Sequence, residues 1–208
     1  MAEDRAAAFA ALGSATLGES GGLPMAPRIR PVWHGARVSA PAYPVVCRAT
    51  DNLAIHVAVA EAPAGSVLVV SVGDEPARGY WGEVLTTGAE SRGLMGLVID
   101  GGVRDVDALE AHGFPVFSAM IALRGATKEN PGSVGGRATV GDVEVARGDW
   151  IVGDVDGVCV IPADRIDDVL AAGNARAAKE AGFFEALRGG STTMDLLSLD
   201  GSPITREG

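Results

Sequence analysis

Residues 66–120 read SVLVVSV GDEPARG YWGEVLTTGAESRG LMGLVID GGVR DVDALEAHG FPVFSAM. Three runs, 66–72, 94–100 and 114–120, are almost continuously apolar and rich in Val, Ile and Phe. Strands covered on both faces have that texture. Between the runs, YWGEVLTTGAESRG (80–93) and DVDALEAHG (105–113) have helical spacing and close on Gly93 and Gly113, glycine being the residue that most readily ends a helix. GDEPARG and GGVR supply turns. The pattern predicts a βαβαβ unit around a parallel core, with the loops after successive strands opening at one end of the sheet.

Upstream, Asp51 opens DNLAIHVAVAEA, a helix with an Asp N-cap and an exit at Pro63–Gly65. Residues 36–49 alternate and contain β-formers, but Pro41 and Pro44 break them, which predicts two short strands or an edge strand. Residues 3–13 read as an Ala-rich helix ending at Gly13, followed by a Gly/Pro-rich connector. Downstream, TVGDVEVARGDWIVGDVDGVCVIP (139–162) has the Gly-Asp turns of antiparallel hairpins, and 163–188 is a long Ala-rich helix. The tail, 189–208, is Gly/Ser-rich and is expected to be flexible or to contact another subunit. The fold class is therefore α/β. A single domain over 1–208 is expected, with 1–35 as N-terminal helix and connector and with antiparallel or mixed strands beside the parallel unit.

A chain of 208 residues is long enough for one good core. With 27 acidic and 17 basic residues its formal charge is −10, which argues against a nucleic-acid partner. No apolar run approaches the roughly 20 residues that cross a bilayer, so no membrane partner is expected. The opening residues, MAEDRAAAFAALG, do not resemble a secretory leader. Cys47 and Cys159 lie in apolar β-like runs and read as buried free thiols. A cytoplasmic enzyme is the expectation.

Arg104 and Asp105 follow the 94–100 run, at the carboxyl end of a strand, where open α/β sheets bind ligands. A helix N-terminus there adds free N–H groups and positive potential. Asp105 also reads as an ordinary N-cap, and Arg104 as a solvated loop residue. Glu83, in the first turn of the preceding helix, is an acid the helix dipole alone would favour. Because neighbouring loops open together, Glu83, Arg104 and Asp105 are predicted to share a crevice suited to a divalent cation and an oxyanion. Asn52 and His56 lie one helical turn apart on a helix whose facing the same cleft is one reading, although a lone His on an apolar helix reads first as a structural residue.

His34, His56 and His112 show no zinc-type spacing. A hard cation held by one carboxylate and several waters suits the available ligands, which points to Mg²⁺ or Mn²⁺. Lys128 and Lys179 sit in polar settings, which disfavours Schiff-base chemistry. GxxxxGK[ST] and GxGxxG patterns are missing. Trp81 and Trp150 read as core or interface aromatics.

With their flanks, these residues resemble the RraA-like family, which includes 4-hydroxy-4-methyl-2-oxoglutarate and 4-carboxy-4-hydroxy-2-oxoadipate aldolases and RraA-type regulators. The resemblance spans nearly the whole chain. It rests on ALGSATLGE, DNLAIHVAV, WGE, the twenty residues separating Glu83 from Arg104 before VIDGGVRD ends, and GDWIVGDVDGVCVIP. It implies the layered RraA-like (swivelling-domain-like) architecture and a divalent-metal, class II-like aldolase. Such an enzyme cleaves 4-hydroxy-2-oxo acids to pyruvate through an enolate and decarboxylates oxaloacetate.

By the same resemblance, Asp105 would bind Mg²⁺ or Mn²⁺ directly and Glu83 through water. Arg104 would hold the pyruvyl unit and stabilise the enolate. The amides of Gly82, Glu83, Val84 and Leu85 would take the substrate carboxylate, and Asn52 would touch substrate or water. A homotrimer or hexamer with sites between subunits is also implied. Two features depart from the family: TLGES stands where Ser-Asp is frequent, and an acid supplied by a neighbouring subunit has two candidates, Glu180 and Glu185. The alternative reading is an RraA-type regulator that binds an RNA-processing endonuclease without catalysis. A quinone methyltransferase label, sometimes attached to the family, is disfavoured by the missing cofactor glycines.

Overall fold

In the computed structural model, which describes residues 2–205 with side chains from Asp4 onward, the apolar runs become parallel strands. Met1 and residues 206–208, the last of the Gly/Ser-rich tail, lie outside the described residues. The first half of the chain gives α1 (Ala2–Gly18), β1 (Leu23–Pro24), β2 (Arg30–Pro31), β3 (Val38–Val46), α2 (Leu53–Glu61), β4 (Val67–Ser71), β5 (Gly79–Trp81) and α3 (Glu83–Ser91). Next come β6 (Gly96–Val103), α4 (Val106–His112), β7 (Val116–Ile121), β8 (Ser133–Val134), β9 (Arg137–Val140) and β10 (Val143–Ala146). β11 (Trp150–Asp154), β12 (Gly157–Ile161), α5 (Ile166–Arg188) and α6 (Thr193–Leu197) complete it.

The main sheet runs β1-β12-β11-β3-β4-β6-β7-β2, with β5 added to β6 and β8 to β3. β3, β4, β6 and β7 are mutually parallel, whereas β1, β11 and β12 pair antiparallel. The expected parallel unit with antiparallel strands beside it is thus the observed architecture.

Alternation along the strands sorts the core. Val67, Val69, Val98 and Phe117 point to one face, where the β9–β10 hairpin covers them with Ala138, Val140 and Val145. Leu68, Val70, Leu97 and Ile99 point to the other, under Ile55 and Ala58 of α2, Leu85 of α3 and Leu109 of α4. Trp150, Val152, Cys159 and Ile161 extend that second face beneath Phe9, Leu17 and Val169 of α1 and α5. Among the described residues, no helix is long and apolar enough to cross a membrane.

Several local expectations change. The 36–49 segment is one central strand, β3, antiparallel to β11 through Pro41 and parallel to β4 from Ala42. Its prolines are tolerated because of phase: Ala42 N donates to Asp149 O at 2.7 Å, so Pro41 turns its nitrogen to the edge where β4 pairing has not begun. Gly101 and Gly102, read as a turn, continue β6. A Cβ at Gly101 would stand 2.8 Å from Val72 Cγ2, and one at Gly102 2.6 Å from Ala122 Cβ. These glycines serve close approach, not reversal.

Tyr80 and Trp81, assigned to a helix, form β5 beside β6. Gly13 kinks α1 without ending it; the helix resumes as Ser14 donates from N and Oγ to Asp154 at 2.7 and 2.6 Å. The tail contains α6, whose Thr192 and Asp195 form a capping box.

Candidate active site

The carboxyl end of the parallel strands holds a cleft of about 220 Å³. That is below the range of drug-sized ligand pockets and suits a small molecule. Its walls come from the starts of α2, α3 and α4, from β5, and from the 125–128 segment. All of its lining residues fall between Asn52 and Lys128.

Asp105 occupies the N-cap position of α4 but does not cap that helix. Its backbone is left-handed (φ 61°, ψ 39°), and its Oδ2 instead accepts from Glu83 N at 3.1 Å, capping the neighbouring α3. The ordinary N-cap reading is thereby replaced. No other hydrogen bond to this carboxylate occurs among the described residues, so Oδ1 is open. Gly82 makes the arrangement possible, because a Cβ there would overlap Asp105 Oδ2 and press within 3.3 Å of Arg104 Cγ. With Glu83 N satisfied by Asp105, the unpaired donors of the first turn of α3 are Val84 and Leu85, and both residues line the cleft.

Arg104 projects between Gly79 and Gly125. Its N donates to Trp81 O at 3.0 Å, and a Cβ on Gly79 would stand 3.0 Å from its Cδ. Nε lies 3.8 Å from Asp105 Oδ2, and the half-exposed guanidinium makes no hydrogen bond among the described residues. Its planar donor fork therefore faces the cleft uncommitted, the arrangement that binds carboxylate or an enolate oxygen.

Glu83 contributes its backbone here, but its carboxylate turns outward. Oε1 lies 3.8 Å from Nε2 of His112, whose Nδ1 is 2.8 Å from Glu90 Oε2. The expected shared crevice thus contains Asp105 and Arg104, with Glu83's side chain at its margin. Among the described residues, no three His, Cys, Asp or Glu groups converge as a metal cage. The available donors, one open carboxylate oxygen and a second carboxylate on the adjacent helix, fit a hard cation that keeps most of its water.

The floor comes from α2. Its N-cap is Asn52 and not the expected Asp51, which sits one residue earlier and accepts from Leu53 N at 2.8 Å through Oδ1. Through Oδ2 it accepts from Thr127 Oγ1, Glu129 N and Asn130 N at 2.8, 2.6 and 3.0 Å. Burial opposes its charge, but these donors outweigh it and hold the carboxyl at about 2. They also fix the loop that brings Lys128 to the cleft. The sequence reads Lys128 as a loop lysine; the signal lies in Asp51, whose Oδ2 partners are more than seventy residues away.

Asn52 is 5% exposed, and its Nδ2 donates to Tyr80 O at 2.8 Å. Its Oδ1 and His56 Nε2 are buried and have no partner among the described residues. Leaving such atoms unpaired costs about 1–3 kcal/mol each. Burial first, and the Lys128 charge second, push the His56 pKa below its ordinary value, with Asp51 opposing.

The remaining motif residues are structural. Trp81 Nε1 donates to Thr86 Oγ1 at 2.7 Å and its ring stacks on Phe114, while Trp150 Nε1 donates to Ser39 Oγ at 3.0 Å. Cys47 and Cys159 are buried free thiols, both pushed up to about 12 by desolvation. Glu180, a candidate acid for a neighbouring site, pairs within its own chain with Arg176 at 2.9 Å, and Arg176 also contacts Glu19 of TLGES.

The fold is a mixed α/β sheet with a cleft at the carboxyl end of its parallel strands. The chain matches the RraA-like family (Aldolase/RraA) over residues 12–160 and belongs to it. A protein of Halalkalibacterium halodurans named "Putative 4-hydroxy-4-methyl-2-oxoglutarate aldolase" is 34% identical over 142 residues, 68% of each chain. A crystal structure of an uncharacterized protein from Pseudomonas syringae pv. tomato superposes with a TM-score of 0.82 at 26% identity, covering 95% of this chain and 94% of that one. The RNA-processing inhibitor RraA from Thermus thermophilis gives 0.64 at 25% identity, covering 72% and 92%.

Proposed function

We propose that this chain is a divalent-metal-dependent aldolase that cleaves 4-hydroxy-2-oxo acids to pyruvate and also decarboxylates oxaloacetate. The observation that carries the reading is the uncommitted Arg104 guanidinium beside Asp105, in the cleft that Val84 and Leu85 also line. The aldolase name borne by a relative supports it. Asp105 would hold Mg²⁺ or Mn²⁺ directly, and Glu83 through water. When bound, such a cation supplies Lewis-acid polarisation of the 2-oxo group.

The protein's own groups do the rest. The start of α3 takes the C1 carboxylate on its free N–H groups and positive dipole end. Arg104 donates to the 2-oxo oxygen, and that bond strengthens as the oxygen gains charge. When the C3–C4 bond breaks, its electron pair spreads onto this oxygen, giving the pyruvate enolate. A hydroxy acid releases a carbonyl fragment and loses its C4 hydroxyl proton to water; oxaloacetate releases CO₂ and has no hydroxyl proton to lose. One site thereby serves both reactions.

A homotrimer or hexamer with sites between subunits belongs to the same reading, and a cytoplasmic setting accords with two unpaired cysteines. Val84 and Leu123, apolar yet 84% and 82% exposed on segments flanking the cleft, are surface that such an assembly would cover.

The test is pyruvate release from oxaloacetate and from 4-hydroxy-4-methyl-2-oxoglutarate, with and without chelator, for the native chain, Asp105→Ala and Arg104→Ala. Activity should require Mg²⁺ or Mn²⁺ and collapse in both variants; full activity after chelation would remove the metal role. The similarity to an RNA-processing inhibitor favours one alternative, an RraA-type regulator. That reading replaces the first if a panel of 2-oxo acids gives no pyruvate while the chain binds a purified RNA-processing endonuclease.

A further inference from the structure

Two polar atoms at the cleft floor have no task in the scheme above. Asn52 Nδ2 is committed to Tyr80 O at 2.8 Å, and Tyr80 is itself tied down, its hydroxyl donating to Glu75 O at 2.6 Å and accepting from Thr50 N at 3.1 Å. This orientation leaves Asn52 Oδ1 as a fixed acceptor. It is buried and has no partner among the described residues. One helical turn further along the same face, His56 Nε2 is also buried, again with no partner among the described residues. Both residues line the cleft.

A carbonyl or carboxylate oxygen brought to this floor would leave Asn52 Oδ1 unsatisfied, because neither group donates a hydrogen bond. An ammonium would satisfy Oδ1 but would meet the positive charge of Lys128, which lines the same cleft. A hydroxyl fits both atoms: it donates to Oδ1 and accepts from an N–H on Nε2. A neutral imidazole supplies that N–H in one of its two tautomers.

We propose that Asn52 and His56 form a hydroxyl subsite that recognises the C4 hydroxyl of the substrate and selects hydroxylated 2-oxo acids over unsubstituted ones. The inference rests on the aldolase reading and extends it from the pyruvyl half of the substrate to the departing half. Asn52 fixes the direction of the hydroxyl, and His56 supports its oxygen.

The test compares two substrates in one variant. In His56→Ala, kcat/KM for 4-hydroxy-4-methyl-2-oxoglutarate should fall at least about tenfold, the loss expected for one buried hydrogen bond. For oxaloacetate, which has no hydroxyl, it should fall less than about threefold; that activity also reports that the variant is folded. His56→Gln, which keeps an N–H donor at similar reach, should retain more of the discrimination than His56→Ala. A second readout needs no turnover: by calorimetry, native protein should bind 2,4-dihydroxy-4-methylglutarate at least about tenfold more tightly than 2-hydroxy-4-methylglutarate, and His56→Ala should lose that preference.

Parallel loss of both activities, or an unchanged preference between the two unreactive acids, overturns the subsite. If native protein cleaves neither substrate, the aldolase reading fails, and the binding comparison still decides whether the floor selects a hydroxyl.

Discussion

Asp51→Asn is a substitution of nearly equal size that should separate two roles of one buried carboxylate. Asp51 is 1% exposed and gathers donors from Leu53, Thr127, Glu129 and Asn130. Its pKa is drawn from 3.8 to about 2, and at roughly 1.4 kcal/mol per unit this corresponds to about 2–3 kcal/mol favouring the folded chain. The sign follows from the depressed value: this stability is fully present above pH 3.8 and is lost as pH falls through about 2. An asparagine amide facing the N–H groups of Glu129 and Asn130 would oppose donor to donor. Chemical denaturation at pH 7 should therefore show Asp51→Asn less stable by about 2–3 kcal/mol, with the gap closing between pH 4 and pH 2. The same substitution should loosen the 127–130 loop and raise KM, because Lys128 rides on that loop. A variant within about 0.5 kcal/mol of the native chain, with no pH-dependent gap, would refute the reasoning.

Three further outcomes are expected. Gly82→Ala places a Cβ against Asp105 Oδ2 and should reduce kcat/KM for oxaloacetate about 100-fold or more with little change in the unfolding midpoint, measured by pyruvate release and thermal denaturation. Gly153→Ala places a Cβ 2.7 Å from Phe117 Cζ and should destabilise by about 1–3 kcal/mol, with partial recovery in the Phe117→Leu double variant. Cys47 and Cys159, buried with thiols pushed up to about 12, should resist a thiol-reactive dye at pH 8 in the folded chain, and both should react in denaturant.

The parallel core was legible because β4, β6 and β7 carry continuous apolar runs that few other structures accommodate. What was illegible involved partners distant in sequence. Gly101–Gly102 has the composition of a turn, and only the nearness of Val72 and Ala122 reveals a strand. Pro41 demotes a strand by rule, yet the phase of pairing with β11 removes the penalty. Asp105 was placed correctly at a helix start, but sequence spacing does not say which of two adjacent helices it caps. For the site, motif and topology together located Arg104, Asp105, Asn52 and the start of α3 at one cleft. His56 was outweighed by its apolar neighbours on α2, since an unpaired buried nitrogen is a property of packing and leaves no trace in composition.

The residues lining the cleft fall within one stretch, from Asn52 to Lys128, so a single exchanged segment would carry all of them. Exchanging that stretch between relatives should transplant substrate preference in a single crossover pair. The condition is set on the opposite face of the sheet: Val67, Val69, Val98 and Phe117 must keep their shapes, because the β9–β10 hairpin that seals them comes from outside the exchanged segment. The pocket is thus carried by β5, helix starts and loops beyond the ends of β4, β6 and β7, and the scaffold by the interiors of those strands.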